Sequence, residues 1–513
     1  MRPAGGRRRA LTVPRAGAYH ATMDGTDERE LFIADGVHAS TGAYLLEPQT
    51  PDELAELATQ GVRDKEPDEL ELLRARNDRD GGVAFPVAEG IDRGDLAQTG
   101  WGVIFAAVKP DTPEAAAQAE VRKALEPLLQ HRKAQAGRDV AKYYQEFVGP
   151  RGYYPGDTNQ KFLARLKVDA GAPADPEAMP YYLLIVGSPT EIPFSFQYQL
   201  DVTYAVGRIH FDTAEEYARY ARAVVAAETE PPRRGKEVAF FAVRNPDDGA
   251  TKLSREGLVE PLANALEANK RLPGWSYRRH YDDKASKATL GTLMGGAQTP
   301  ALLFTASHGI AFDRGDPLQV RRQGALICSD WQNPRPYAPV AESMYFSGDD
   351  LGASADARGM IVFNFACYGG GTPEFNEYAK KDNVVDRRIA ERPFVSGLHR
   401  QLLARGALAC VGHIERAWSE SIPTAAAGNR LIVFRSAMEV LMKGLPIGAA
   451  LEYFNARYAQ LGADMSSALE SLDFASGDEA RALKADVARK WTAHNDARDY
   501  VVTGDPAVRL RFA

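Results

Sequence analysis

Short, unbroken apolar runs recur along the chain, each closed by glycine or a polar turn. They are Gly100 to Val108, Tyr181 to Gly187, Thr203 to Ile209, Glu237 to Val243, Ala301 to Ala306, Met360 to Phe365, Ala407 to His413 and Tyr500 to Pro506. Runs this short do not make free helices, and their continuous rather than alternating apolar character is that of strands covered on both faces. Trp275 to Tyr281 reads as a further strand and Gly324 to Trp331 as a hairpin. Between the runs lie segments with helical spacing: Pro113 to Gln135, Ala214 to Glu228, about Ser254 to Asn269, Thr289 to Met294, Phe394 to Ala404, Gly428 to Leu461 and about Gly477 to His494. Strand and helix in alternation predict an α/β protein, with a mainly parallel sheet whose right-handed crossovers place helices on both faces.

Polarity also divides the chain. Residues 1–24, with Arg2, Arg7, Arg8, Arg9 and Arg15, read as a disordered basic tail, since Ala10 to Pro14 is too short and broken for the apolar core of a signal peptide. Residues 25–98 form a polar N-terminal extension of no nameable chemistry, with helices expected at Pro51 to Ala58 and Pro67 to Arg76 and short strands within Leu31 to Gly42. A first α/β subdomain is expected over 99–232, the linker Pro231 to Gly235 follows, and a second subdomain covers 236–513.

Composition narrows the class. The 513 residues are 44% hydrophobic, enough for a large core, and carry a net charge of −7 with mixed signs, which gives no footprint for nucleic acid. No run approaches a membrane span. Three cysteines, an odd number in so long a chain, argue against a disulfide framework and for a reducing cytoplasm. Zinc spacing, HExxH, P-loop, dinucleotide fingerprint and GxSxG elbow are all missing, so neither metal nor cofactor is expected.

Two of the apolar runs end in chemistry. Met360 to Ala366 delivers Cys367 to a loop with Gly369, Gly370 and Gly371, and Ala301 to Ala306 delivers Ser307-His308-Gly309. In open α/β sheets reactive groups sit just beyond the carboxyl ends of strands. A cysteine is little ionised at neutral pH and needs a neighbouring imidazole, so neighbouring strands ending in His and Cys would assemble a nucleophile and its base. The backbone amides of Tyr368 and Gly309 are the oxyanion candidates. Taken singly, a strand-end cysteine is usually a small packed hydrophobe and a His-Gly pair a turn. Their joint occurrence favours catalysis. Cys410 reads as core and Cys328 as hairpin packing, while His413, at the end of its own strand, rivals His308 as base but has Glu415 and Arg416 beside it as structural partners.

These residues resemble the caspase-like clan of cysteine peptidases, closest to the gingipain-type peptidases and the related CHAT domains. The likeness is carried by Leu183 to Gly187 with Ile192-Pro193, Asp201 to Ile209 with its Gly-Arg-Ile, Ser307-His308-Gly309, Phe365-Ala-Cys367-Tyr-Gly and Gly504-Asp505-Pro506, in that order over roughly residues 100 to 513. The resemblance implies a caspase-like three-layer sandwich and a Cys367–His308 endopeptidase acting on proteins or peptides through a thioester. It also implies an acidic residue at Asp201 that receives Arg or Lys before the cut, because a buried cation needs a carboxylate. Trp418 would give the aliphatic stem an apolar wall. Asp201 as a plain turn cap remains the other reading of that residue. Two further functions stay open: a silent scaffold recruiting a regulatory partner through residues 25–98, and a thiol acyltransferase.

Overall fold

The computed structural model describes residues 32–50, 53–55, 58, 87, 90–170, 172–334, 336–376, 378, 388–418, 431–472 and 474–512. The apolar runs become β1 (Trp101–Ile104), β3 (Tyr182–Val186), β4 (Ala205–Ile209), β5 (Glu237–Ala242), β7 (Leu302–Ala306), β8 (Ile361–Phe365), β9 (Ala409–His413) and β10 (Tyr500–Gly504), joined by β2 (Tyr144–Phe147) and β6 (Ser276–Tyr281). They form one sheet in the order β2-β1-β3-β4-β10-β9-β8-β7-β5-β6. Every neighbouring pair is parallel except β9 and β10. Half of the sheet therefore runs against the other half. The consequence for the site is direct: the carboxyl ends of β7, β8 and β9 share one edge with the amino ends of β4 and β10.

The eight strands formed by the apolar runs are buried along nearly all their length, as continuous apolar runs require, whereas the edge strands β2 and β6 are only partly covered. One set of helices, 113–124, 126–136, 214–229 and 397–404, packs together, and a second set packs together at 260–267, 431–442, 447–472 and 477–498. The architecture is a three-layer α/β sandwich. Among the described residues no helix is long and apolar enough to cross a membrane.

Local chemistry adjusts several predicted boundaries. The helix expected over 113–135 is two, Pro113–Ala124 and Glu126–Ala136, because Pro127 lacks an N–H and is suited to a helix's first turn rather than its middle. The helix expected from Ser254 starts at Gly249, where Asp248 accepts from the amides of Ala250 and Thr251, and runs through a π-helical turn at Ser254–Val259. Leu326–Ile327 pairs antiparallel with Tyr345–Phe346, so the hairpin spans far more chain than Gly324 to Trp331. Residues 428–461 hold parts of two helices, Leu431–Met442 and Ile447–Leu472, separated by Gly444 and Pro446. The basic tail 1–24 and the helix at 67–76 lie outside the described residues.

Two buried polar networks fix the sheet. Asn364, the polar exception in β8, accepts from Thr305 Oγ1 at 2.8 Å and meets His399 Nε2 at 2.9 Å, while His399 Nδ1 meets Thr503 Oγ1 at 2.8 Å. β7, β8 and β10 are thus tied just below the site. At the far end of β10, Asp505 accepts from Arg132 Nε at 2.7 Å and Trp101 Nε1 at 2.9 Å, and Arg132 holds Glu228 with two bonds. Asp505→Ala would leave the buried Arg132 guanidinium with Glu228 as its remaining carboxylate and take the acceptor from Trp101 Nε1, and loss of one partner from a buried ionic cluster costs about 3–5 kcal/mol. Chemical denaturation should show that loss, whereas Arg138→Ala, at an exposed pair, should leave the denaturation midpoint almost unchanged.

Candidate active site

β7 and β8 are direct neighbours with Ala306 opposite Phe365, so the two chemistry-bearing loops leave the sheet side by side. Their closeness explains the glycine after His308. A Cβ on Gly309 would lie 1.9 Å from the Cys367 carbonyl oxygen, inside any tolerable contact. His308 and Cys367 are both fully buried.

His308 is held from two sides. Its Nε2 lies 2.5 Å from Asp248 Oδ2, and its ring packs beside Tyr44 and Trp331. Asp248 Oδ1 is occupied separately, by the helix amides and by Tyr44 Oη at 3.1 Å. Burial pushes the imidazole pKa down, but the Asp248 charge outweighs it and holds His308 above its ordinary value; burial likewise raises Asp248, and His308 carries it below the usual carboxylate range. Asp248 thus fixes the orientation of the His308 ring through Nε2.

Cys367 Sγ accepts the Ala417 N–H at 3.2 Å. Burial, with the nearby Asp35 carboxylate added, pushes the thiol well above its ordinary pKa. Tyr368 takes a left-handed φ of 57° and donates its N–H to the Glu415 carbonyl at 2.9 Å. That amide is therefore engaged. The Gly309 carbonyl accepts from Val37 at 3.2 Å, and among the described residues the Gly309 N–H has no acceptor.

The other sequence candidates occupy distinct places. His413 Nε2 lies 3.2 Å from Asp496 Oδ1 in a buried pair, with the Glu415 backbone also beside the ring; burial lowers its pKa, but Asp496 prevails and raises it to about 9. Cys328 and Cys410 are buried thiols pushed up by burial. Trp418 is fully buried, donates its backbone N–H to Asp496 Oδ1 at 2.7 Å, and packs its side chain in a cluster with Phe32, Tyr378 and Trp491. Asp201 ends the helix Phe194–Asp201, and its Oδ1 accepts from Val206 at 3.1 Å. It stands at the amino end of β4, on the edge that Cys367 shares but three strands away. Arg208 of the Gly-Arg-Ile run is buried and donates to Gln197 and to the carbonyls of Gly187 and Pro193, holding the loop after β3. Among the described residues no cluster of three or more His, Cys, Asp or Glu is arranged to hold a metal ion.

Sequence reasoning missed Asp248 and the segment Ala34 to Val37. The signal for Asp248 in the sequence was confined to the turn Asn245-Pro-Asp-Asp-Gly after the Glu237 to Val243 run; that β5 adjoins β7, which brings this turn to the same edge, follows only from the sheet order.

No family model matches the chain, and no curated protein matches it. Solved structures do. The Arg-specific cysteine proteinase gingipain R is similar with a TM-score of 0.47 and 11% identity over 83% of this chain and 80% of that one. A complex of Porphyromonas gingivalis RgpB pro- and mature domains is similar at 0.41 and 12% over 80% of each chain. The Saccharomyces cerevisiae separase–securin complex is similar at 0.29 and 10%, over 65% of this chain and 16% of that one. Likeness at this level leaves activity to be argued from the side chains.

Proposed function

We propose that the protein is a cysteine endopeptidase in which Cys367 is the nucleophile, His308 its base and Asp248 the carboxylate that orients the base. The observation that carries this reading is the His308–Asp248 pair beside Cys367, at the carboxyl ends of two neighbouring parallel strands. His308 Nδ1 takes the thiol proton, Sγ adds to the substrate carbonyl, and the proton passes to the departing amine, leaving a thioester that water hydrolyses. The Gly309 N–H stabilises the oxyanion, since the Tyr368 amide is engaged with Glu415. Incubation with a peptide library, mass spectrometry of the cut sites and a Cys367→Ala control test the reading; products of acyl transfer without hydrolysis would overturn it.

For specificity we propose cleavage after Arg or Lys, with Asp201 receiving the cation and Trp418 supplying an apolar wall. Supporting this, Asp201 lies on the edge shared with Cys367. Its bond to Val206 requires a control: Asp201→Asn keeps an Oδ1 acceptor for that amide while losing the charge. Both Asp201→Asn and Asp201→Ala should raise KM and lower kcat/KM for basic substrates about tenfold or more, the effect of roughly 1.4 kcal/mol of lost binding. Cut sites dominated by Asp or apolar residues would sink the assignment.

A further inference from the structure

The path of residues 32–38 crosses the site. Asp35 N–H donates to the Ala417 carbonyl at 2.9 Å and Ala34 bridges Trp418 antiparallel, so this stretch adds as a strand alongside the segment after β9. Phe32 fills the aromatic cluster of Trp418, Tyr378 and Trp491. At Gly36 the chain turns with φ 137° between the two reactive residues. The Gly36 N–H donates to His308 Nδ1 at 2.8 Å, and the site of its absent Cβ is 3.2 Å from Cys367 Sγ. Val37–His38 then runs parallel to Ile310–Ala311, with the Val37 amide on the Gly309 carbonyl.

A peptide amide directed at the base, beside the nucleophile, on a strand held by main-chain bonds at both ends is the disposition of a bound substrate. We propose that Phe32–Val37 is a tethered pseudosubstrate: the chain's own strand fills the peptide-binding groove, with the Asp35–Gly36 peptide at Cys367, and keeps the enzyme latent until it is displaced. This rests on the peptidase reading above for its biological meaning, though the occlusion of Cys367 does not.

The strand's chemistry suits a plug that stays uncut. The Gly36 N–H needs the Nδ1 lone pair and so competes with the proton that the base must take from the thiol. The groups facing the Asp35 carboxylate are His308, Asp248, His413, Asp496, the Cys367 thiol and the Tyr500 hydroxyl, the acids offsetting the imidazoles, and among the described residues its Oδ1, 3.6 Å from His308 Nδ1, has no hydrogen-bond partner. Burial accordingly raises Asp35 to about 7. A carboxyl whose pKa is raised in the seated state weakens seating as pH climbs from its ordinary range through about 7, and little more beyond. Latency should be deepest in acid and loosen toward neutrality.

The test is alkylation of the full-length protein by iodoacetamide, read residue by residue by mass spectrometry. Gly36→Val should unseat the strand, because a side chain there is strained at this φ and would strike Leu45 and Cys367 Sγ. Cys367 labelling should rise about tenfold or more in Gly36→Val. Cys328 and Cys410, buried elsewhere, should stay unlabelled if the fold is intact. Phe32→Ala, which vacates the aromatic cluster, is the second variant should Gly36→Val label all three. Asp35→Asn should slow Cys367 labelling and flatten the excess over its own rate that the unmodified chain gains toward neutral pH. Equal Cys367 labelling in the unmodified chain and in a folded Gly36→Val or Phe32→Ala variant would overturn the proposal, as would a new amino terminus at Gly36 accumulating with time. Faster labelling without peptide cleavage would uphold the plug and remove the peptidase reading; free labelling of the unmodified chain with Cys367-dependent cleavage would do the reverse.

Discussion

Cys367→Ala should abolish peptide turnover, a fall on the order of 10⁵ or more, because no other group at the cleft can form the thioester. The comparison is best made in the unplugged Gly36→Val protein, so that a low starting rate does not mask the loss. Cys328→Ala and Cys410→Ala should keep turnover within about threefold. Their thiols lie in the hydrophobic core, one at the end of a short strand beside Leu326 and one inside β9, and among the described residues neither has an imidazole–carboxylate pair beside it. Removing a buried sulfur creates a small cavity and costs about 1–2 kcal/mol, which lowers Tm without touching the rate per folded molecule. Retained turnover in Cys367→Ala, with thiol labelling of another cysteine tracking activity, would move the nucleophile elsewhere.

The legibility of this site followed from where the physics is local. An apolar run ending in cysteine and glycines can be read without knowing its partner, because burial on both faces leaves its mark on each residue of the strand. The same holds for His308-Gly309. Asp248 was less visible: an aspartate in an Asn-Pro-Asp-Asp-Gly turn is first of all a helix cap, and it does cap, with one oxygen. Only the sheet order, which puts β5 next to β7, turns its other oxygen toward His308. The strand at residues 32–38 was read as short strands of no chemical meaning. Its significance lies in contacts about 270 and 380 positions away in sequence, to His308 and Ala417, which no periodicity encodes. Pro127 shows the opposite case, a local signal outweighed by the regular leucine spacing around it.

Asp248→Asn should lower kcat by about 10²–10⁴ with little change in KM, provided the strand is displaced. The two carboxylate oxygens have separate tasks, and asparagine preserves one of them. With its Oδ1 left on the amides of Ala250 and Thr251 and on Tyr44, the helix cap survives, since asparagine caps about as well as aspartate. The Nδ2 then takes the place of the oxygen that faces His308 Nε2. A donor in that position asks Nε2 to accept, which moves the ring proton to Nδ1, the nitrogen that must remove the proton from Cys367. The tautomer is reversed with the geometry intact. Losing the carboxylate charge also removes the chief influence that raises the His308 pKa, so in single-turnover acylation the acid limb of the pH profile should move to lower pH. A purely structural Asp248 would give another pattern: a depressed Tm, kcat per folded molecule nearly unchanged and the acid limb where it was. His308→Ala sets the lower bound, with turnover at or below that of Asp248→Asn at every pH, because an oriented base of the wrong tautomer still accepts a proton in the minor form.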